Sequence, residues 1–135
     1  MKLQGVIPPF ITPLDEDENI IERDVEKLTE RLLKAGIRNI FLLGTMGEGP
    51  LIRDNEKEVL IRQTIAAAQN NATVIVNVSD ASTNKILANI EMAAKCGADI
   101  VATTVPIYLP LAEQELIIKF FHDVAERSAY RSRIF

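Results

Sequence analysis

The sequence lacks a disulfide framework, a membrane span and a basic surface. Its 135 residues include a single cysteine, Cys96. An internal disulfide is therefore excluded, and the chain suits a reducing compartment. No apolar run approaches the roughly 20 residues that cross a bilayer. The opening residues Met1, Lys2, Leu3, Gln4 and Gly5 lack the apolar core of a signal peptide. These absences read as a cytoplasmic protein with no membrane partner. The formal net charge is -4, and without clustered Lys and Arg no nucleic-acid partner is expected. What remains is ordinary for a soluble chain. It is 47% hydrophobic and 25% charged, with the length of one domain.

The chain is organised around residues 40–48. Ile40, Phe41, Leu42 and Leu43 form an uninterrupted apolar run, suited to a strand buried on both faces of a parallel sheet. A tight turn follows, made of Gly44, Thr45, Met46, Gly47 and Glu48. Its glycines permit backbone angles that other residues resist and let a ligand approach the main chain. The turn lies past the carboxyl end of a strand, where α/β folds place their ligands. Successive N–H groups there, with the Thr45 hydroxyl, can form a small anion nest. The same spacing also fits a plain connecting loop that uses glycine only to turn. Spacing alone leaves both readings open.

Four βα units are expected, with a period of about thirty residues. The first strand, 5–11, contains Pro8 and Pro9 and should be short or irregular, because proline removes ladder donors. The acidic run 15–19 reads as a solvated turn rather than a metal loop, since it lacks spaced ligands. Val25, Leu28, Leu32 and Leu33 then mark an amphipathic helix with Gly36 as its C-terminal cap. A second helix is expected from an Asp54 cap, with Val59, Leu60, Ile65 and Ala66 as its apolar face and Asn70 and Asn71 at its end. The third strand is 73–78. Its polar end, Asn77, Ser79, Asp80 and Ser82, either binds a ligand or turns the chain into a third helix beginning at Ser82 or Thr83. A fourth strand spans 99–105, Pro106 to Pro110 close it, and a fourth helix starts near Ala112. The basic stretch 127–135 follows as an unstructured or non-native end. A fifth strand is due there, and no apolar run of that length appears. Four such units fit a small doubly wound sheet or half of an eight-unit barrel.

Several pieces together carry a resemblance. They are Gly5 through Thr12 and Pro13, the run Gly44, Thr45, Met46, Gly47, Glu48, then Gly97, Ala98, Asp99, and finally Pro106, Ile107 and Tyr108 before Pro110. In order and spacing the sequence resembles the dihydrodipicolinate synthase / N-acetylneuraminate lyase family, class I aldolases on a (β/α)8 barrel. The likeness covers nearly all of this chain and about the first half of such a barrel. It implies that residues 1–126 are an N-terminal (β/α)4 portion of a TIM barrel, ending before the fifth strand. It also implies a mechanism in which a lysine on a later strand forms a Schiff base with pyruvate or another 2-keto acid, with no cofactor and no metal. By motif match, Thr45 is the threonine of a proton relay and Tyr108 its second tyrosine. Gly44, Thr45, Met46 and Gly47 would hold the substrate carboxylate, with Glu48 supporting the loop. The intact form would be a homo-oligomer.

The sequence departs from the family pattern in places. The fifth-strand tyrosine and the Schiff-base lysine are absent. Lys2 precedes the first strand, and Lys27, Lys34, Lys57, Lys85, Lys95 and Lys119 fall on helices or helix ends, where a solvated ammonium is a poor nucleophile. Met46 replaces a second hydroxyl residue, and Ile107 a tyrosine common in the lysine-synthesis members. Three readings result. The first is a truncated Schiff-base lyase, inactive as this chain and prone to self-association at its open edges. The second is an α/β module that binds a small carboxylate or phosphate at the turn without chemistry. The third is a non-catalytic partner of full-length relatives. His122 reads as a surface histidine, and Cys96 as a packing residue at a helix end.

Overall fold

Three apolar runs lie side by side and parallel: β1 (Asn39–Leu42), β2 (Thr73–Asn77) and β3 (Ile100–Ala102), in that order across the sheet. The computed structural model describes residues 3–108 and 112–128. Side chains alternate across a strand, so the register decides which face each one joins. Phe41 pairs with Ile75 and Ile75 with Ile100, while Leu42 pairs with Val76 and Val76 with Val101. Ile40, Leu42, Val74, Val76 and Val101 thereby share one face and enter the main core with Val25, Leu60, Ile61, Ile86, Ile90 and Val124. Ile75, Ile100 and Ala102 share the opposite face with Leu3 and Phe41.

The helices are α1 (Glu22–Lys34), α2 (Asp54–Ala68), α3 (Thr83–Cys96) and α4 (Gln114–Arg127). Thr29 and Thr64 are fully buried within α1 and α2 and donate to the carbonyls one turn back, Val25 and Leu60. That bonding lets a hydroxyl sit in an apolar seam without an unpaired group. Gln63 of α2 donates to Glu22 of α1. Gly36 is left-handed at φ 83° and closes α1: its N–H donates to Leu33 O, and that of Ile37 to Leu32 O. Both bonds satisfy end carbonyls, as the glycine cap predicts.

Some expectations need correction. The described sheet has three strands rather than four. The stretch 6–10 runs parallel beside β1 but makes only an isolated bridge, Pro9 with Phe41. Pro8 and Pro9 lack the N–H groups that a ladder needs. The buried Asn39 side chain supplies donors instead, to Gln4 O at 2.7 Å and Val6 O at 3.4 Å. Asp54 is not a cap. It is the first residue of α2, and its carboxylate pairs with Lys57 at 2.8 Å. Ser82 does cap α3, accepting from Lys85 N–H. The fourth helix begins at Gln114, two residues later than expected, and runs to Arg127. The unstructured ending expected over 127–135 is corrected at its start, where Arg127 closes α4 and Ser128 is buried with its N–H on Val124 O; residues 129–135 lie outside the described residues. Among those described, no helix is long and apolar enough to cross a membrane.

The acidic run is an ordered turn. Asp15 Oδ1 accepts the N–H groups of Asp17 and Asn19, and Arg53 donates to Asp17 O, Glu18 O and Asn19 Oδ1. Just beyond it, the buried Ile20 N–H donates to Glu56 Oε2 at 2.8 Å, tying the turn to α2. Replacing Glu56 with Ala leaves that N–H unpaired, so Glu56→Ala is expected to cost about 1–3 kcal/mol. The checking measurement is the shift in urea unfolding midpoint.

Candidate functional site

At the carboxyl end of β1 the backbone leaves the strand abruptly. Leu43 takes a left-handed conformation, φ 59°, that a branched side chain resists. A 3-10 turn Thr45–Gly47 follows, then Glu48, also left-handed at φ 54°, and a second short turn Gly49–Leu51. Gly44 O accepts from both Gly47 N–H and Gly49 N–H, folding the segment on itself. Gly47 is buried, and a Cβ there would stand 2.6 Å from the backbone oxygen of Phe10. The carbonyl of Gly47 accepts from Thr12 Oγ1 at 2.5 Å. The turn is therefore clamped against the chain leaving stretch 6–10.

A second clamp comes from β2. Asn77 Nδ2 donates to Leu43 O at 2.8 Å, holding the strained carbonyl in place. Ser79 Oγ donates to Asn77 Oδ1 at 2.7 Å and accepts Thr104 N–H at 2.9 Å. One polar chain thus ties together the carboxyl ends of all three strands. Asn77 and Ser79 act here as struts between strand ends, whereas the capping expected of this stretch falls to Ser82. Thr12 and Thr104 are the residues that sequence reading missed. The only signal for either was a hydroxyl near the carboxyl end of a strand.

Thr45 is exposed, and its hydroxyl makes no hydrogen bond among the described residues. The N–H groups of Thr45 and Met46 begin the 3-10 turn and have no intrahelical partner. Met46 is 64% exposed. Two N–H donors and one hydroxyl are thus free at the mouth of a parallel sheet, and such a set accepts an oxyanion. The Glu48 carboxylate makes no hydrogen bond among the described residues, so its part in the turn is played by its backbone. Tyr108 lies beyond β3 and is 79% exposed. Its neighbour Ile107 donates its N–H to Asp80 O at 3.3 Å, and no hydrogen bond joins Tyr108 to Thr45.

A charged cluster sits between α2 and α3. Lys57 is largely buried there, contrary to the solvated ammonium expected of it, and pairs with Asp54. Burial pulls the Asp80 carboxyl upward, but Ala81 N–H, the Asn89 amide, Lys85 and Lys57 outweigh it and hold the group below the usual carboxylate range. The remaining described lysines, Lys27, Lys34, Lys85, Lys95 and Lys119, are exposed on helices. Cys96 is buried at the end of α3, and burial raises its thiol. His122 is exposed on α4 beside Glu126.

The model of the dihydrodipicolinate synthetase family matches residues 2–131. The chain belongs to that family. An uncharacterized DapA-like lyase of Halobacterium salinarum is 34% identical over 109 residues, covering 81% of this chain and 36% of the relative. The 4-hydroxy-tetrahydrodipicolinate synthase of Thermotoga neapolitana is 32% identical over 125 residues, covering 93% and 42%. The crystal structure of Acinetobacter baumannii dihydrodipicolinate synthase complexed with pyruvate superposes with a TM-score of 0.87 at 26% identity. It covers 95% of this chain and 44% of that one. The chain therefore spans less than half the length of these family members.

Two outcomes test the site's framework. Gly47→Ala drives a methyl into the Phe10 carbonyl, and overpacking of this kind costs about 1–3 kcal/mol. The thermal midpoint should fall accordingly, and the Thr45 and Met46 amide resonances should move. Asp80 has its folded pKa below its unfolded one. Its contribution to stability is thus present above the ordinary carboxylate pKa of about 3.9 and is lost as pH falls through the folded value. Asp80→Asn should therefore lower the unfolding midpoint at pH 7, with the gap from the parent chain closing as the pH is taken below about 4.

Proposed function

We propose that this chain is the N-terminal (β/α)4 portion of a (β/α)8 Schiff-base lyase that handles pyruvate or a related 2-keto acid. The portion was expected to be residues 1–126, and α4 carries it one residue further, to Arg127. The observation that carries the reading is the free donor set at the turn. Thr45 N–H, Met46 N–H and the Thr45 hydroxyl lie in the turn that follows the carboxyl end of β1, without partners among the described residues, in a chain of this family. A carboxylate is the anion that such a set matches in a 2-keto acid, and the pyruvate complex of the Acinetobacter relative supports that class. Gly44 and Gly47 shape the turn, Glu48 links its two halves, and Thr45 and Tyr108 are the proton-relay candidates.

Chemistry requires a further residue. In this mechanism an amine attacks the keto carbon, water leaves, and the protonated imine draws electrons from the bond being made or broken. The amine must be a lysine lowered in pKa within the barrel. The described lysines lie instead on helices, outside the sheet's inner face. The 135 residues alone are therefore expected to bind the keto acid without forming the imine. A module that holds a small carboxylate or phosphate without chemistry is the second reading, and the same free donors favour it.

Borohydride reduction in the presence of pyruvate, read by intact mass, tests the proposal. The 135-residue chain should show no adduct, while pyruvate moves the Thr45 and Met46 amide resonances. A longer chain from the same gene, carrying later strands, should trap pyruvate covalently. An adduct on the 135-residue chain would overturn the statement that it lacks its nucleophile. Equal response to phosphate, with no adduct from the longer chain, would favour the binding module.

A further inference from the structure

A line of hydrogen bonds runs from the segment after β3 to the turn after β1, and both of its ends are backbone groups. Thr104 N–H donates to Ser79 Oγ at 2.9 Å, Ser79 Oγ donates to Asn77 Oδ1 at 2.7 Å, and Asn77 Nδ2 donates to Leu43 O at 2.8 Å. A backbone N–H can only donate and a carbonyl can only accept. The two ends therefore fix the direction of the protons between them. The Asn77 amide must present its nitrogen to Leu43, so its oxygen faces Ser79, and Ser79 supplies the proton which that oxygen needs. The line works with one amide and one hydroxyl in this order, and turning the amide round would set oxygen against oxygen at Leu43.

The middle of this strut is anchored on two sides. Val78, between Asn77 and Ser79, donates its N–H to Ala102 O at 2.9 Å, and its carbonyl accepts from Asn89 of α3 at 3.3 Å. Ile107 N–H donates to Asp80 O, so the segment leading to Tyr108 rests on the same loop. At the other end Leu43 is buried and left-handed at φ 59°, a conformation that persists only when its surroundings hold it. Gly49 packs on the Leu43 carbonyl so closely that a Cβ there would collide with it. The next residue, Gly44, folds the turn by accepting from Gly47 N–H and Gly49 N–H. A change at Leu43 therefore swings the Thr45 and Met46 N–H groups. By strand alternation Asn77 shares the sheet face of Ile75, so it reaches the turn from the side away from the helices.

We propose that Asn77 is a positioning residue for the anion donors of the turn, and that Ser79 links that constraint to the segment bearing Tyr108. The inference rests on the reading of the turn as a carboxylate site. Asn77 and Ser79 act through the Leu43 carbonyl and not by bonding to Thr45 or Met46. Without the Asn77 amide the left-handed Leu43 loses its partner on the β2 side, and the two N–H groups no longer share one direction. An anion must then order the turn as it binds, and its affinity falls by the cost of that ordering. In the intact lyase the same strut would hold Thr45 and Tyr108, the two relay candidates, in a constant relation.

Pyruvate titrations followed at the Thr45 and Met46 amide resonances test this. Asn77→Leu keeps the bulk of the side chain, removes both polar atoms and adds no charge. It should raise the pyruvate concentration at half-response about tenfold, the order of one lost hydrogen bond. Ser79→Ala leaves the Asn77 side chain in place, removes only the link, and should raise that concentration about threefold. Ser79→Thr keeps a hydroxyl and should return the parent value. Thr29→Ala, a buried change within α1, should lower the urea unfolding midpoint yet leave the pyruvate response at the parent value, which separates positioning from general loss of stability. Should Asn77→Leu lose the fold, Ser79→Ala and its rescue by Ser79→Thr carry the test. Ligand-free spectra hold a second signature: Ser79→Ala should shift the Thr45 and Met46 amides, and Thr29→Ala should not. Folded Asn77→Leu and Ser79→Ala chains that bind pyruvate as the parent does would overturn the proposal. So would Thr29→Ala weakening binding as much as they do. A parent chain whose turn amides ignore pyruvate would end the 2-keto acid reading instead. The ligand-free shifts then decide the strut alone, and their absence in Ser79→Ala would overturn it.

Discussion

A parallel ladder in fixed register sorts every strand residue to one face or the other. The pairings of Phe41 with Ile75 and of Ile75 with Ile100 send Ile40, Leu42, Val74, Val76 and Val101 toward the helices. A slip of one residue would turn these side chains to the opposite face and bring Asn39, Thr73 and Asn77 into the apolar core. The helices have no other surface to cover, and α1 to α4 take their places from it. Burying side chains of this size contributes about 1.5–3 kcal/mol each. The helix-surface ion pairs are solvated, and their role is solubility more than stability.

The site depends on that same register. Asn77 occupies the last position of β2, on the face away from the helices, and its amide reaches the Leu43 carbonyl next door. The left-handed Leu43 is costly for an isolated chain. Here it is held by Asn77 from one side, while Thr12 grips Gly47 further along the turn. The turn is thus over-determined by its neighbours. Its N–H groups remain available because the backbone is turned out of the ladder directly after Leu42.

A four-helix arc on a three-stranded sheet covers one sheet face and leaves its ends apolar. Helices cover one side of the strands, and the inner face carries only a small cluster of Ile75, Ile100 and Ala102 with Leu3 and Phe41. Family members are more than twice this length.

Local signals carried much of the fold. The apolar runs near 40, 74 and 100, the helical spacings and the glycine after α1 are properties of neighbouring residues, so they were legible without a structure. The turn motif at Gly44 to Glu48 was legible for the same reason. The first strand was read as irregular because proline removes donors wherever it sits. The Asp54 cap was misread, since a capping residue is defined by where the helix begins, and Arg53 precedes Asp54 in extended conformation. Lys57 was read as solvated because its sequence neighbours are polar, yet it is largely buried between α2 and α3. By itself, then, the sequence determined the βα rhythm, the family and the position of the turn. Tertiary structure alone decided that Leu43 is left-handed, that Asn77, Ser79 and Thr104 serve as struts, and that Thr45 keeps free donors. These depend on residues 25 to 35 positions apart, which only the parallel ladder brings within hydrogen-bonding distance.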